Sequence, residues 1–331
     1  MNETNGYSLL PVRHITVTAD QAGQRIDNFL AVHLKGVPRS HLYRLLRRGE
    51  VRVNKGRVGP EYRIGAGDVV RLPPLRQSEP TAPIRPSKNV LELIQERILF
   101  EDEGLLVLNK PHGLAVHGGS GLHFGAIEAL RALRPEAPCL ELVHRLDRDT
   151  SGLLMVAKRR SVLRHLHALL REGRLDKRYL TLVAGTWPSS TRTIDAPLLT
   201  NHLQSGERVV RVDATGKPSA TRFTVLAAYS NPLSATLLEA RPMTGRTHQI
   251  RVHARFAGHP VGGDEKYGDD EFDRAARTLG LNRLFLHAYR LTIETDGQKL
   301  SLEAPLDEAL QRVLSRLDTT PTSHNLSHKK G

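Results

Sequence analysis

A dense group of charged side chains lies at 144–152, a segment that reads HRLDRDTSG. The runs on either side, 140–143 and 153–157, are apolar and of strand length, so they predict two buried strands joined by a polar loop. His144, Arg145 and Asp147 offer an imidazole, a guanidinium and a carboxylate, groups that can move protons or bind anions. Loops held between strands often carry functional groups, although a loop charged only for solubility explains the pattern equally well.

The second half of this segment has a simpler interpretation. Asp149-Thr150-Ser151-Gly152 has the composition of a tight turn, because Asp can accept bonds from backbone donors and Gly adopts strained dihedral angles. The turn composition favours Asp149 as a structural residue, but the residues alone do not rank Asp147 against Asp149. The spacing of His144, His248 and His253 fits no closed zinc pattern, so we expect structural histidines and no metal site.

Composition sets limits on the class of protein. The 331 residues suffice for two domains, and 39% hydrophobic with 25% charged residues is typical of a globular protein. A net charge of +13 indicates a polyanionic partner. No apolar run is long enough to span a bilayer, there is no signal peptide, and the single Cys139 excludes an internal disulfide framework. We therefore expect a cytoplasmic protein without a membrane partner.

A small basic unit is predicted at the start of the chain. One helix pattern begins at Asp20 and a second follows Pro38, ending at Gly49, and short alternating segments around the turns 54–56 and 65–68 predict hairpin strands. Arginines without matching acids dominate its outer face, and their density favours phosphate binding over a merely solvated surface. These arginines are Arg39, Arg44, Arg47, Arg48 and Arg52.

The rest of the chain predicts a larger domain that mixes helices and strands. Helical periodicity occurs at 124–133, after Ser161, near 250–257 and after Pro305, and strand patterns occur at 179–183, 221–227 and 235–239. Because strands and helices do not alternate regularly, the expected class is α+β with a mixed, mainly antiparallel sheet and flanking helices. The predicted boundaries are a flexible N-terminus, 1–17; the two-helix and hairpin module, 18–73; a linker, 74–88; the main domain, 89–317; and a disordered tail, 318–331.

Several phrases of the sequence resemble known families. The segments 22–30, 37–54 and 67–70 resemble the alpha-L RNA-binding module of ribosomal protein S four. HRLDRDTSG, together with NKPHG at 109–113 and GRTHQIRVH at 245–253, resembles the pseudouridine synthase superfamily, in particular its branch acting on ribosomal and transfer RNA. The sequence departs from the family pattern at His112, where a small polar residue is expected.

The resemblance implies a function and roles for particular residues. It implies isomerisation of uridines to pseudouridine in large-subunit ribosomal RNA, with Asp147 as the catalytic carboxylate and Arg145 filling the gap left by a flipped base. Tyr179 resembles the family's active-site tyrosine, and Arg251, or else Arg246, the basic residue that pairs with the carboxylate. The reaction needs no metal or nucleotide cofactor, and we expect a monomer.

Two other functions remain as alternatives. The protein could be a non-catalytic RNA-binding factor for ribosome assembly, although a binding protein has no reason to keep an intact HRLD phrase with a buried, unpaired carboxylate. It could also be a metal-dependent nuclease that uses the His and Asp residues.

Overall fold

The computed structural model describes residues 7–34, 37–78, 86–118, 124–137, 139–188, 190–202, 208–295 and 298–319. The chain divides into two units, Met1–Ile84 and Arg85–Gly331.

Among its described residues, the first unit has two α-helices, a short 3-10 helix (Ala19–Gln21) and two small antiparallel sheets. Its strands and helices are, in chain order, β1 (Tyr7–Leu10), β2 (Arg13–Thr16), α1 (Ile26–His33), α2 (Arg39–Arg48), β3 (Arg52–Val53), β4 (Gly56–Arg57), β5 (Val69–Leu72) and β6 (Leu75–Ser78). One sheet has the order β2-β5-β3-β4, and β1 pairs with β6 in the other.

Local sequence signals explain most of this unit. Helix α2 ends at Gly49, whose φ of 69° is the left-handed conformation that glycine adopts without strain. Asn54 and Lys55 both have positive φ, as a two-residue hairpin turn between β3 and β4 requires. Apolar residues of both helices and of β5 form one buried cluster, so the short elements share a core.

The ends of this unit differ from the prediction. We expected a flexible segment at 1–17 and a linker at 74–88, yet β1 and β2 lie in the first and β6 lies in the second. The first six residues, the middle of the expected linker (79–85), and the expected tail from 320 onward lie outside the described residues. Within 318–331, the two residues 318–319 form a short strand.

The second unit is built on one large sheet. Its first elements are α3 (Lys88–Glu96), β7 (Ile98–Glu101), β8 (Leu105–Lys110), α4 (Ala126–Leu133), β9 (Glu141–Leu142), β10 (Ser151–Ala157), α5 (Arg160–Glu172) and β11 (Leu175–Ala184). Then follow β12 (Thr191–Asp195), β13 (Leu198–His202), β14 (Arg208–Val212), β15 (Ala220–Asn231), β16 (Ala235–Pro242), α6 (Gln249–Phe256), α7 (Asp270–Thr278), β17 (Leu286–Thr295), β18 (Gln298–Glu303), α8 (Glu308–Ser315) and β19 (Asp318–Thr319).

The order of strands in this sheet is β12-β15-β16-β11-β17-β10-β8-β7, with β18, β19 and β9 paired alongside and β13 with β14 forming a separate hairpin. Neighbouring strands are antiparallel throughout, except that β10 and β17 are parallel. The expected mixed, mainly antiparallel sheet with flanking helices is therefore confirmed.

Helices cover both faces of the sheet. The apolar residues of β8 and β10 alternate between two clusters, one containing α3, α4 and α6 and the other containing α5. Residues of α7 and α8 form a further cluster with β11, β15 and β16. All seven residues of β10 are buried, so the loop before β10 is attached to a strand in the core of the sheet. No helix among the described residues is both long and apolar enough to cross a lipid bilayer.

Candidate active site

The loop that carries Asp147 joins β9 to β10, and the close packing of β10 against its neighbour β17 fixes the end of this loop. Gly152 has a φ of 105°, and a Cβ atom there would lie 2.2 Å from the carbonyl oxygen of Ala288 on the parallel neighbour β17. Only glycine allows this approach of the two backbones. The turn is closed by a bond from the Thr150 backbone N–H to the Asp147 carbonyl at 3.2 Å.

Two side chains of the NKPHG phrase hold the same loop. The buried Lys110 ammonium donates to the carbonyls of Pro111, Leu114 and Arg148 at 3.0, 2.8 and 2.9 Å. His112 Nδ1 donates to the Asp149 carbonyl at 2.9 Å, so the residue that departs from the family pattern supports the turn. Burial lowers the pKa of Lys110 to about 7.

The structure corrects the expected role of Asp149. We expected its carboxylate to bond backbone donors in the turn, but it accepts from the guanidinium of its neighbour Arg148 at 3.0 Å. The Arg148 side chain is exposed and that of Asp149 is partly exposed. The turn therefore depends on backbone bonds, Gly152 and Lys110 rather than on the Asp149 carboxylate.

Asp147 lies next to Arg251, which α6 contributes. Arg251 Nη1 is 3.3 Å from Asp147 Oδ2, and the two other guanidinium nitrogens of Arg251 donate to Asp264 at 2.7 and 2.6 Å. Burial opposes the charge of Arg251, but the bonds to Asp264 raise its pKa above the ordinary value. The charge of Arg251 is thus permanent, and its field stabilises the negative charge of Asp147.

Arg246 and Arg251 were the two candidates for the arginine that pairs with Asp147, and their side-chain contacts distinguish them. Arg246 is exposed, and its guanidinium donates to the Pro218 carbonyl at 3.3 Å. Arg251 is the one whose guanidinium contacts Asp147.

Tyr179 and Arg145 line the same cavity as Asp147. Tyr179 is buried and Arg145 is exposed. Burial and the neighbouring Asp147 charge raise the pKa of the Tyr179 phenol, so it stays neutral at physiological pH. Among the described residues, no acceptor bonds the Arg145 guanidinium.

The cavity has a volume of about 700 Å³, large enough for a nucleoside. Five arginines besides Arg251 line the cavity and make its mouth basic. They are Arg145, Arg148, Arg171, Arg241 and Arg246. Two of them, Arg148 and Arg241, pair with Asp149 and Asp176. A basic mouth above a carboxylate suits a polyanion that inserts one uncharged base.

Of the three histidines considered as metal ligands, two make hydrogen bonds with the backbone of the fold. Burial lowers the pKa of His144 to about 3, and its Nε2 accepts from the Met155 backbone N–H at 3.2 Å. His253 is bonded at both nitrogens, to Thr221 Oγ1 and the Ala196 carbonyl. His248 differs, because it faces Asp147. Within the described part of the chain, no group of three His, Cys, Asp or Glu side chains could hold a metal ion.

Sequence reasoning missed several residues around Asp147. Lys110 was visible inside NKPHG, and Lys177 inside the segment that carries Tyr179, but neither was given a role. Lys177 lines the cavity, and burial lowers its pKa. Asp264 and Tyr267 follow α6 and had no local signal, since their importance comes from contacts with Arg251 and His248.

In the first unit, the five arginines that we predicted to bind RNA are all exposed. Arg48 lies 3.8 Å from Glu50, and Arg52 Nε donates to the Gly49 carbonyl. Arg39, Arg44 and Arg47 have no carboxylate partner among the described residues, so their charge is available to a ligand.

Comparison with known proteins agrees with this geometry. A family model described as RNA pseudouridylate synthase matches residues 104–256, and one described as the S4 domain matches residues 24–70. The chain is 57% identical over 316 residues to ribosomal large subunit pseudouridine synthase C of Pasteurella multocida (strain Pm70), covering 95% of this chain and 96% of that protein. The protein belongs to the RNA pseudouridine synthase family.

Further relatives agree with this assignment. The protein of the same name from Escherichia coli (strain K12) is 58% identical over 311 residues, covering 92% of this chain and 97% of that one. The structure of human RNA pseudouridylate synthase domain containing 4 is 28% identical with a TM-score of 0.57, covering 70% of this chain and 97% of that chain. The resemblance, the α+β fold and the enzyme class expected from the sequence are confirmed, and the synthase is neither a nuclease nor a non-catalytic binding factor.

Proposed function

We propose that this RNA pseudouridine synthase modifies uridines of large-subunit ribosomal RNA, with Asp147 as the catalytic carboxylate. One observation carries the site assignment: Asp147 lies 3.3 Å from the buried Arg251 and lines a nucleoside-sized cavity together with Tyr179. The choice of RNA is supported by the names of the relatives and by the net charge of +13.

The reaction breaks the bond between ribose C1′ and uracil N1, turns the base, and forms a bond between C1′ and C5. N1 gains a proton and C5 loses one, so there is no net redox change and no energy input. The carboxylate of Asp147 either attacks the sugar or removes a proton during the rearrangement. In both cases Asp147 acts as a carboxylate and is regenerated as a carboxylate at the end of the reaction. Arg251 stabilises its negative charge in these two states.

The other residues bind and orient the substrate. The neutral phenol of Tyr179 packs against the uracil ring and is placed for proton transfer. Arg145, exposed at the mouth and unbonded within the described residues, enters the space that the flipped uridine leaves.

The two units divide the work. The module at 18–73 binds the RNA backbone through Arg39, Arg44, Arg47, Arg48 and Arg52, and the domain at 89–317 binds and isomerises the uridine. We expect the synthase to act as a monomer. It works in the cytoplasm and needs no nucleotide, because an isomerisation without energy input requires none.

The test is to map pseudouridines in a large-subunit ribosomal RNA transcript treated with the purified synthase, without added nucleotide. Asp147→Asn and Asp147→Ala should eliminate the product while thermal stability and RNA affinity are kept, since affinity comes from distributed basic contacts. Asp149→Ala is the matched control in the same loop and should retain activity. Product from Asp147→Ala, or its loss in Asp149→Ala alone, would show that the wrong aspartate was assigned. If pseudouridine forms only in another class of RNA, the assignment of large-subunit ribosomal RNA as the substrate is wrong.

A further inference from the structure

His248 adopts a backbone conformation that is uncommon for residues other than glycine. It lies directly before α6 with φ 53° and ψ 17°, the left-handed region, and is one of three non-glycine residues with positive φ among the described residues. Such a conformation costs about 1 kcal/mol or more and tends to persist where surrounding contacts require it. The other two, Asn54 and Lys55, form a hairpin turn, whereas His248 lies in the turn that leads into α6, where the Gln249 backbone N–H donates to the Arg246 carbonyl at 3.3 Å.

The ring of His248 is fixed by Tyr267. The Tyr267 hydroxyl lies 2.8 Å from His248 Nδ1 and accepts from the Val210 backbone N–H at 2.9 Å. The phenol has one proton to donate, and with the Val210 N–H as the donor to its oxygen we assign that proton to the bond with His248 Nδ1. The imidazole proton is then on Nε2. The two rings also meet edge to face, at 5.5 Å between centroids and 65° between planes.

The Nε2–H of this tautomer faces the carboxylate of Asp147. Nε2 is 3.9 Å from Asp147 Oδ2, the same oxygen that Arg251 approaches at 3.3 Å. The His248 side chain is 13% exposed, and the charged groups near it are Asp147, Arg251, Asp264 and Lys266. Burial lowers the pKa of His248, so the imidazole is neutral at physiological pH.

We propose that His248 is a positioning residue for Asp147: its Nε2–H and Arg251 both face Oδ2 and fix the carboxylate, which leaves Oδ1 for the substrate. The inference rests on the assignment of Asp147 in the proposed function. The strained backbone aims the ring, and Tyr267 sets the tautomer. Neither His248 nor Tyr267 needs to contact the RNA for this role.

Two substitutions of similar size separate this role from simple packing. In His248→Leu the side chain fills the space without a donor, whereas in His248→Gln an amide N–H can be turned towards Oδ2. Leu and Gln have a similar energetic cost in the left-handed conformation. A difference in rate between the two variants therefore reports the loss of the N–H donor. The measurements are the single-turnover rate at saturating enzyme, the Kd for the RNA and the thermal midpoint.

We expect His248→Leu to slow the single-turnover step by about 10- to 100-fold with an unchanged Kd, as a misplaced reacting group does. His248→Gln should recover most of that rate. A wild-type rate in His248→Leu overturns the proposal, as do equal losses in both variants, which indicate packing, or a Kd that rises in step with the rate loss, which indicates RNA contact.

Asp147→Ala, measured in parallel, distinguishes a failure of the positioning role from a failure of the proposed function. If Asp147→Ala is inactive while His248→Leu is fully active, the positioning role fails and the proposed function stands. If Asp147→Ala is active, the proposed function itself fails.

Discussion

Asp264 holds Arg251 with both carboxylate oxygens, at 2.7 and 2.6 Å, and thereby sets the direction in which the arginine faces Asp147. The Asp264 side chain is fully buried and also accepts from the backbone N–H groups of Lys266 and Tyr267, each at 3.0 Å. Arg251 additionally stacks on the Tyr267 ring, 5.0 Å from its centroid. The orientation of the guanidinium is therefore determined by the segment after α6, and Asp147 contacts the one nitrogen that remains.

Replacing Asp264 should destabilise the fold. Asp264→Ala leaves the buried Arg251 charge without its bidentate partner, a change that typically costs about 3–5 kcal/mol of unfolding free energy. Chemical denaturation of the purified protein measures it. The matched control is Glu303→Gln, which removes the partner of Arg290 from an exposed pair at 2.7 Å and should cost at most about 1 kcal/mol. Similar destabilisation in both variants would contradict the structural role of Asp264.

The same pair predicts a dependence of stability on pH. Burial opposes ionisation of Asp264, but its bonds with Arg251 and the backbone lower its pKa in the folded state. A lowered carboxyl pKa contributes stability above the unfolded value, about 3.9, and that contribution is lost as pH falls through the folded pKa. The wild type should therefore exceed Asp264→Asn in stability near pH 7, and the difference should shrink below about pH 4. A difference that does not change with pH would argue against the ion pair.

Local signals in the sequence predicted the elements but not the partners. The apolar spacing of α6 placed Arg251 on a helix, yet Arg246 remained an alternative, because which arginine reaches a carboxylate 104 residues away is a tertiary contact. Asp147 and Asp149 could not be ranked for the same reason. Asp147 contacts Arg251, whereas Asp149 pairs with Arg148, and neither contact can be read from the composition of the loop.

Strand pairing explains the largest error in the predicted boundaries. Residues 1–11 are mostly polar and residues 74–88 show no apolar period, so neither stretch predicted a strand. In the structure β1 pairs antiparallel with β6, with Tyr7 opposite Ser78. Backbone bonds stabilise such a pair whatever the side chains are, and its formation depends on a partner far away in the sequence.

Lys110 should matter for activity more than for RNA binding. Lys110→Met keeps the length of the side chain but removes three bonds to carbonyls, including that of Arg148 next to Asp147. Unsatisfied buried acceptors cost about 1–3 kcal/mol, partly offset because a buried charge is also removed. We expect a lower thermal midpoint and a slower single-turnover rate with an unchanged Kd. As control, Lys158→Met removes a half-buried lysine that pairs with Glu101 at 2.8 Å and should leave the rate intact.

Arg145 should act on base flipping. If its guanidinium fills the space of the extruded uridine, Arg145→Ala should slow modification of a paired uridine more than of a looped-out one. Unpairing and unstacking cost a few kcal/mol, and a looped-out uridine has already met this cost. Single-turnover rates on a hairpin and a bulge carrying the same target measure the ratio. Arg148→Ala, in the same loop and bonded to Asp149, is the control and should slow both substrates alike. Equal slowing by Arg145→Ala would indicate a role in chemistry.

The basic face of α2 should determine how RNA binding responds to salt. Arg39, Arg44 and Arg47 are exposed and lack carboxylate partners among the described residues, so each can release a counterion from RNA on binding. Replacing all three with Gln should weaken binding and reduce the slope of log K against log salt by about 0.7–0.9 for each phosphate that is no longer neutralised. The rate at saturating enzyme should stay near that of the wild type, because the cavity around Asp147 is intact. Arg290→Gln, which removes an arginine already paired with Glu303, is the control and should leave the slope unchanged. A triple variant with the wild-type slope would show that the RNA backbone does not contact this face, and the phosphate contacts would then have to come from the arginines at the mouth of the cavity.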